Sequence, residues 1–212
     1  MKNYLLFLLF VVIVIGTKAQ TSTLKNNFSA GFGLQNYNGD LGNTFLKMDE
    51  ELYGVLCVDY SRYICKSFDA TLSLRSGDFG HCREEDEKAI RDDGTEVLNM
   101  RSRLTSAIIS FRYKFANDCL IKASAKLAPF IYAGAGLNKL RDIWTSAHDR
   151  VNEGTYASLN FGAGLRYQIT DRYSFSYNLH LGYFMSDAID KVARGKDDMY
   201  IQNIVMLGIN LF

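Results

Sequence analysis

The sequence predicts an all-β fold, an eight-stranded antiparallel transmembrane β-barrel. Three observations predict it. First, apolar and polar residues alternate with a period of two in eight separate segments. Second, long and short connections alternate between these segments, as in membrane barrels, which have tight turns on one side and long loops on the other. Third, aromatic residues gather beside the short connections, where an apolar band should meet lipid headgroups.

The start of the chain predicts a secretory signal. Lys2 supplies the positive charge, residues 4–15 form an unbroken apolar run, and residues 17–19 (TKA) resemble a cleavage site. Twelve apolar residues make about 18 Å of helix, which is short for a membrane core of roughly 30 Å. A permanent helical anchor is therefore the weaker alternative. We expect a signal peptide over 1–19 and an outer-membrane β-barrel domain over 20–212.

The alternating segments follow one another along the rest of the chain. Their approximate bounds are 27–37, 52–61, 67–77, 103–115, 127–137, 155–169, 173–183 and 199–212. The sixth segment is the clearest, since Leu159 and Phe161 oppose Asn160 and Gly162. The last segment is apolar on both faces, so its pattern does not assign a lipid-facing side. Apolar and polar residues would also alternate in the strands of a soluble β-sandwich. The lengths of the connections therefore have to distinguish the two folds.

The connections favour the membrane barrel over the sandwich. Long connections are expected at 38–51, 78–102, 138–154 and 184–198, and short ones at 62–66, 116–123 and 170–172. In a barrel of the outer membrane, short turns face the periplasm and long loops face the outside. We therefore expect both termini on the periplasmic side and the long loops to be extracellular.

Aromatic residues mark the level of the short connections. They are Phe28, Tyr60, Tyr63, Phe68, Tyr113, Phe115, Tyr167, Tyr173, Phe175 and Phe212. Such a group is typical of the aromatic girdle at a membrane interface. The alternative is that they are ordinary core aromatics of a sandwich.

Charged side chains lie on the faces that a barrel would turn inward. The polar residues of this inward set are Asp59, Asp69, Arg75, Arg112, Lys114, Arg166, Asn178 and His180. An eight-stranded lumen is just wide enough for its own side chains. Charges buried there cost several kcal/mol each unless they are paired. We predict an ion-pair network that plugs the lumen, with Asp59, Arg75, Arg112 and Arg166 as members. A continuous water channel is the alternative. The many glycines of the strands would allow the strands to curl tightly or would make room for arginine side chains.

Four cysteines in an exported chain raise the question of disulfides. Cys65 lies in the first short turn and Cys119 in the second, and these turns are neighbours on one rim. We expect either a Cys65–Cys119 disulfide or two free thiols. Cys57 in a strand and Cys82 in a long loop are expected to be unpaired.

We find no pattern that predicts catalysis or a cofactor. His180 is expected to point into the lumen near Ser158 or Ser176, but a catalytic site would also need an orienting acid and an oxyanion site. His81 and Cys82 lack further metal ligands at a suitable spacing. Basic residues are scattered and the net charge is +1, which argues against nucleic-acid binding.

Four segments carry a resemblance to a known family. They are 36–42 (NYNGDLG), 67–74 (SFDATLSL), 127–136 (LAPFIYAGAG) and 164–173 (GLRYQITDRY). In this order they resemble the N-terminal barrels of OmpA-family proteins from Bacteroidetes and, more distantly, the PorG barrel of type IX secretion. The resemblance spans nearly the whole mature chain. It implies the barrel role alone, because the peptidoglycan-binding domain common in that family does not follow before Phe212.

Together, the residues and the resemblance predict a non-catalytic protein of the bacterial outer membrane. It would serve as a structural element or as a subunit of a larger assembly. Its expected partners are outer-membrane lipid and lipopolysaccharide, together with another outer-membrane or periplasmic protein. The alternatives are a narrow pore for small solutes and, less favoured, a lipid-acting enzyme.

Overall fold

The strands were located in a computed structural model, which describes residues 25–38, 52–82, 89–90, 96–97, 99–145, 154–185 and 198–211. The signal-peptide prediction for 1–19 lies outside these residues. The strands are β1 (Asn26–Asn38), β2 (Tyr53–Tyr63), β3 (Phe68–Cys82), β4 (Ala89–Ile90), β5 (Glu96–Val97), β6 (Asn99–Lys114), β7 (Leu127–Thr145), β8 (Gly154–Gln168), β9 (Tyr173–Phe184) and β10 (Met199–Leu211).

Eight of these strands form a closed antiparallel barrel. Their order around the wall is β1-β10-β9-β8-β7-β6-β3-β2, and β1 closes the ring by pairing with both β2 and β10. The short strands β4 and β5 pair separately, between β3 and β6 in the chain. The predicted eight-stranded antiparallel barrel is confirmed. None of the described residues forms a helix long and apolar enough to cross a membrane.

Three strands extend further than the sequence predicts. β3 continues to Cys82, β6 begins at Asn99 and β7 continues to Thr145, so the predicted connections 78–102 and 138–154 are too long. The described outward-facing residues of the extensions are polar, namely Asp78, Arg101, Lys139 and Arg141, so the apolar signal of a strand fades there. Cross-strand ion pairs hold β3 and β6 together instead, since Asp78 binds Arg101 at 2.7 Å and Arg103 at 2.8 Å.

The outward face of the barrel is apolar over several residues of every strand. Its exposed large side chains include Phe32, Leu56, Leu72, Leu74, Ile109, Phe111, Ile131, Leu137, Phe161, Leu179 and Leu207. The last strand follows the same rule, because Leu207 is 66% exposed while its neighbour Met206 is 2% exposed. From Asn203 to Leu211, the odd-numbered residues of β10 are the more exposed ones and face outward, which settles the side that the sequence left open.

Aromatic side chains border this band at the end of the barrel that carries the short turns 64–67, 115–126 and 169–172, hereafter the short-turn end. Phe28, Tyr60, Phe68, Tyr167, Tyr173 and Phe175 are all exposed on the outward surface there. Phe68 packs edge-on against Tyr113 at 5.2 Å between ring centroids. Tyr63 differs from the prediction, since its ring lies under the ammonium group of Lys114 at 4.6 Å.

Candidate functional site

A column of aromatic rings runs along the lumen. Phe130 contacts Tyr132, which stacks on His180, which contacts Tyr200, which in turn contacts Phe184. The ring centroids are 6.3, 5.8, 5.7 and 5.2 Å apart in that order. All five rings are buried, so the column fills the centre of the barrel from the short-turn end to the opposite end.

Hydrogen bonds between uncharged side chains hold the rings in place. The Tyr200 hydroxyl donates to the side-chain oxygen of Asn160 at 3.1 Å, and Asn160 donates to the Ser158 hydroxyl at 2.8 Å. The Tyr132 hydroxyl and Nδ1 of His180 share a hydrogen bond of 3.0 Å. We call the rings from Tyr132 to Phe184 and these bonded groups the aromatic half of the lumen.

Glycines make this column of rings sterically feasible. Gly162 lies opposite Tyr132 in the β7–β8 pair, and Gly182 lies opposite Tyr200 in the β9–β10 pair. A Cβ atom at either glycine would overlap the facing tyrosine ring. The expectation that strand glycines make room for arginines therefore needs correction here, because they make room for aromatic rings that cover the bare backbone.

A row of polar side chains ties β3 to β10, which are separated in the wall by β2 and β1. Arg75 of β3 donates to Oε1 of Gln202 of β10 at 2.6 Å, and Gln202 donates to Oε1 of Gln35 of β1 at 2.7 Å. Gln35 then donates to the carbonyl oxygen of Asp78 at 2.6 Å. Both glutamines are fully buried. The row crosses the lumen and would resist its widening.

Charges concentrate at the short-turn end, in a region that we call the charged half. Lys114 binds Asp69 at 2.6 Å, and Asp69 is completely buried. Arg112 lies 3.7 Å from Asp59, a longer contact, and its guanidinium is 4.5 Å from the centre of the Phe130 ring. Both members of this second pair are buried as well, so the surroundings screen their attraction only weakly.

The structure places the four residues of the predicted network as follows. Asp59 and Arg112 face each other across the charged half. Arg75 bonds to Gln202, although Asp59 is within electrostatic range of it. Arg166 lies within range of Arg112, Asp59 and Asp69.

Sequence reasoning listed Asp69 and Lys114 as inward-facing but did not single them out, although they form an ion pair of 2.6 Å in the charged half. It gave no role to Gln35 or Gln202. A signal for them existed, because each glutamine occupies the inward phase of its strand next to apolar residues.

A cavity of about 690 Å³ opens within the charged half. Its cationic lining consists of Lys66, Arg112, Lys114, Lys126 and Arg166. Its remaining walls include Tyr63, Ala128, Phe130 and Ile169, together with the acidic residues Asp118 and Asp171. The cavity therefore combines an apolar, partly aromatic surface with a surplus of positive charge.

An ion pair, and not a disulfide, connects the first two short turns. Lys66 binds Asp118 at 3.1 Å, and this contact raises the pKa of Lys66. The pKa of Asp118 is lowered, first by the N–H of Ala123 and then by Lys66. Cys65 and Cys119, beside this pair, are exposed free thiols, so the disulfide alternative is not formed in the structure. Cys57 is a buried free thiol.

Among the described residues, His180 contacts neither of the serines that the sequence analysis placed near it. Its Nδ1 bonds to Tyr132, and its Nε2 has no hydrogen-bond partner among the described residues. Neither Ser158 nor Ser176 therefore reaches the imidazole. Within the same part of the chain, no three histidine, cysteine, aspartate or glutamate side chains are grouped so that they could hold a metal ion.

The comparisons with known proteins support the fold. No protein-family model matches the chain, and no curated protein matches it. Among solved structures, it is similar to Neisserial surface protein A (NspA), with 13% identity, a TM-score of 0.57, and coverage of 88% of this chain and 97% of that one. It is also similar to the outer membrane protein OprG from Pseudomonas aeruginosa, with 9% identity, a TM-score of 0.52, and coverage of 92% and 97%. At these identities the likeness concerns the fold.

Proposed function

We propose that this chain is a non-catalytic β-barrel of the bacterial outer membrane with a plugged lumen. It would be a structural element of that membrane or a subunit of a larger assembly in it. The observation that carries the proposal is the pairing of an apolar outward face with a lumen that buried side chains close in its aromatic half. An outward face of this kind would be unfavourable in water, because apolar surface costs about 25 cal/mol for each Å² that is exposed.

The orientation follows from the connections. Short turns face the periplasm in barrels of this class, so we place residues 64–67, 115–126 and 169–172 there and the long connections outside. The resemblance to OmpA-family barrels from Bacteroidetes supports the same arrangement. Outer-membrane lipid and lipopolysaccharide would surround the wall, and a partner protein could dock on either rim.

The filled lumen favours a structural role over a pore. The largest fully buried side chains include Tyr200, Phe184, Leu104, Leu140, Ile204 and His180, all of which point inward from the wall. Together with the row from Arg75 to Gln35, they occupy the path that an ion would take. A pore would require these rings and amides to move apart together.

Planar-bilayer recording tests this proposal. The mature chain, refolded and reconstituted into a bilayer, should show a barrel signature in circular dichroism and heat-dependent migration on a gel, but no discrete, stable openings. Reproducible unitary conductance in the folded protein would overturn the plugged lumen and favour the pore. Recovery of the native protein in the periplasmic fraction without detergent would overturn the membrane assignment itself.

A further inference from the structure

We propose that a groove on the outward face of the barrel, together with the basic residues at one end of it, binds one molecule of lipopolysaccharide through its phosphorylated lipid part. An acyl chain would lie in the groove and a phosphate group on the basic residues. The proposal gives a site to a partner that the proposed function names only in general, and it rests on the outer-membrane location proposed there.

The groove forms where a short side chain separates longer ones. Ala107 of β6 lies directly opposite Leu74 of β3 on one side and Leu137 of β7 on the other. Leu56 and Val58 of β2 extend the wall beside Leu74, and the groove has a volume of about 460 Å³. All five side chains are exposed on the outward surface. Sites for small molecules usually have volumes of roughly 300–1,000 Å³, so the groove has room for a hydrocarbon chain.

The groove leads to basic residues at the end that is farther from the short turns. Along β6, the next outward-facing residues after Ala107 are Thr105 and Arg103. Lys139 lies opposite Thr105 and lines the groove, and Arg141 lies opposite Arg103. We call Arg103, Lys139 and Arg141 the basic cluster. A molecule with an anionic head and an apolar tail would therefore contact the cluster and the groove at the same time.

The charges of the basic cluster favour a bound anion. Arg103 shares the carboxylate of Asp78 with Arg101, so that one carboxylate serves two guanidinium groups. Lys139 and Arg141 are exposed, and neither has a carboxylate partner among the described residues. Like charges that lie directly opposite each other on neighbouring strands, as Arg103 and Arg141 do, destabilise a sheet. A phosphate group would offset this repulsion, and its oxygens fit the two-pronged donors of a guanidinium group.

The height of the basic cluster corresponds to the headgroup level of a membrane. Arg103 and Tyr113 are ten residues apart in β6, and Tyr113 packs against Phe68 at the short-turn end. At about 3.4 Å per residue and a strand tilt of about 40°, this separation spans roughly 25 Å, which is the height of the apolar band in outer-membrane barrels. Near this level, the outward-facing strand side chains that the structure describes carry no charge apart from the cluster, Arg101 and Asp78.

The side of the membrane decides which lipid the site would meet. The long connections lie on the same side of the barrel as the basic cluster, and we place them outside. The outer leaflet of an outer membrane contains lipopolysaccharide, in which phosphate groups lie next to several acyl chains. Charge and shape of the site therefore both match this lipid.

Native mass spectrometry of the refolded, detergent-solubilised barrel tests the site. The probes are diphosphorylated lipid A, the same lipid A after removal of its phosphates, and phosphatidylglycerol as a different anionic lipid. We expect saturable retention of one diphosphorylated lipid A per barrel, with weaker retention of phosphatidylglycerol. Removal of the phosphates should weaken retention about ten-fold, as expected when charge-assisted hydrogen bonds are lost. Retention of the diphosphorylated form should also fall as ammonium acetate is added.

Charge variants locate the head of the lipid. Lys139→Gln combined with Arg141→Gln should weaken the retention of diphosphorylated lipid A about ten-fold. The matched control is Arg62→Gln, which removes an exposed outward-facing charge at the short-turn end and should leave retention unchanged. Migration on a gel verifies that each variant has refolded.

Groove variants locate the tail. Ala107→Leu fills the groove without a change of charge and should weaken retention about three-fold, because the acyl chain loses packing contacts. The matched control is Ala133→Leu, which enlarges an exposed outward-facing alanine outside the groove and should have no effect. If Ala107→Leu fails to refold, Ala107→Val takes its place.

Several results would overturn the proposal. They are the absence of saturable retention, equal retention of dephosphorylated lipid A, equal or stronger retention of phosphatidylglycerol, and wild-type retention by the groove variant. An effect of Arg62→Gln as large as that of the double variant would also overturn it, since it would indicate general surface attraction. None of these results alters the bilayer recordings or the need for detergent, so failure of the lipid site and failure of the proposed function are distinguishable.

Discussion

Uncharged rings and amides fill the aromatic half of the lumen, whereas the charged half holds ion pairs around an open cavity. In the aromatic half, Tyr200 and His180 are completely buried, and their ring contacts and hydrogen bonds are to uncharged groups, with Arg75 as the charged side chain within electrostatic range. In the charged half, Asp69 is equally buried, binds the ammonium group of Lys114 and lies within electrostatic range of Arg166. In a closely packed half, the loss of one hydrogen bond lowers the stability only a little. In a half that contains buried charges, the loss of one partner leaves an unpaired charge and lowers the stability much more. One half therefore closes the barrel, whereas the other leaves a cavity.

The largest expected effect comes from breaking the buried ion pair. Asp69→Asn should lower the free energy of unfolding by about 3–5 kcal/mol, because it leaves the Lys114 ammonium without its counter-charge. Urea unfolding in detergent micelles or vesicles, followed by circular dichroism, measures the loss.

The control for this variant is Asp69→Asn combined with Lys114→Met, which removes both charges. Most of the loss should be recovered in the double variant, since a buried pair is often replaceable by apolar groups. A double variant as unstable as the single one would mean that the carboxylate matters for its shape or its hydrogen bonds, not for its charge.

The next effect concerns the packing of the aromatic half. Gly182→Ala should lower the free energy of unfolding by about 1–3 kcal/mol, because the new methyl group would overlap the buried ring of Tyr200. The matched control is Gly54→Ala, where a Cβ atom meets no other atom within 4 Å. That variant should change stability by less than about 0.5 kcal/mol. Equal effects of the two substitutions would show that the rings adjust freely and that the aromatic half is not tightly packed.

A smaller effect is expected from one hydrogen bond of the same half. Tyr200→Phe keeps the ring but removes the hydroxyl that donates to Asn160 at 3.1 Å. The expected loss is about 0.5–1.5 kcal/mol, with no conductance gained. The same urea unfolding and bilayer recordings measure both quantities. A loss comparable to that of Asp69→Asn would contradict the contrast between the two halves.

The sequence predicts the wall of the barrel better than its contents. Period-two alternation depends only on which side of the strand meets an apolar environment, so it reveals Leu159 and Asn160 as opposite faces without knowledge of their partners. The partners inside depend on the stagger of strands that lie far apart in the chain, such as β3 and β10. The bond from Arg75 to Gln202 could therefore not be predicted from the sequence, and neither could the ring of Tyr200 over Gly182.

The smallest predicted effect concerns pH at the turns beside the charged half. The pKa of Asp118 is lowered by the N–H of Ala123 and by Lys66, so its folded-state pKa lies below its unfolded-state value of about 3.9. Its contribution to stability is therefore present above pH 4 or so and lost as pH falls through the lowered pKa. The raised pKa of Lys66 acts in the opposite sense, since its contribution is complete below about pH 10.4 and is lost as pH rises through the raised pKa.

Urea midpoints measured from neutral pH down to about pH 3 for the wild type and Asp118→Asn test this. The difference between them should shrink as the pH falls, and it should shrink further in high salt because the pair is exposed. A difference that is constant across this range would mean that the Asp118 side chain holds the turn through hydrogen bonds that its amide replacement also loses. In that case charge at the short turns would have no part in the stability of the charged half.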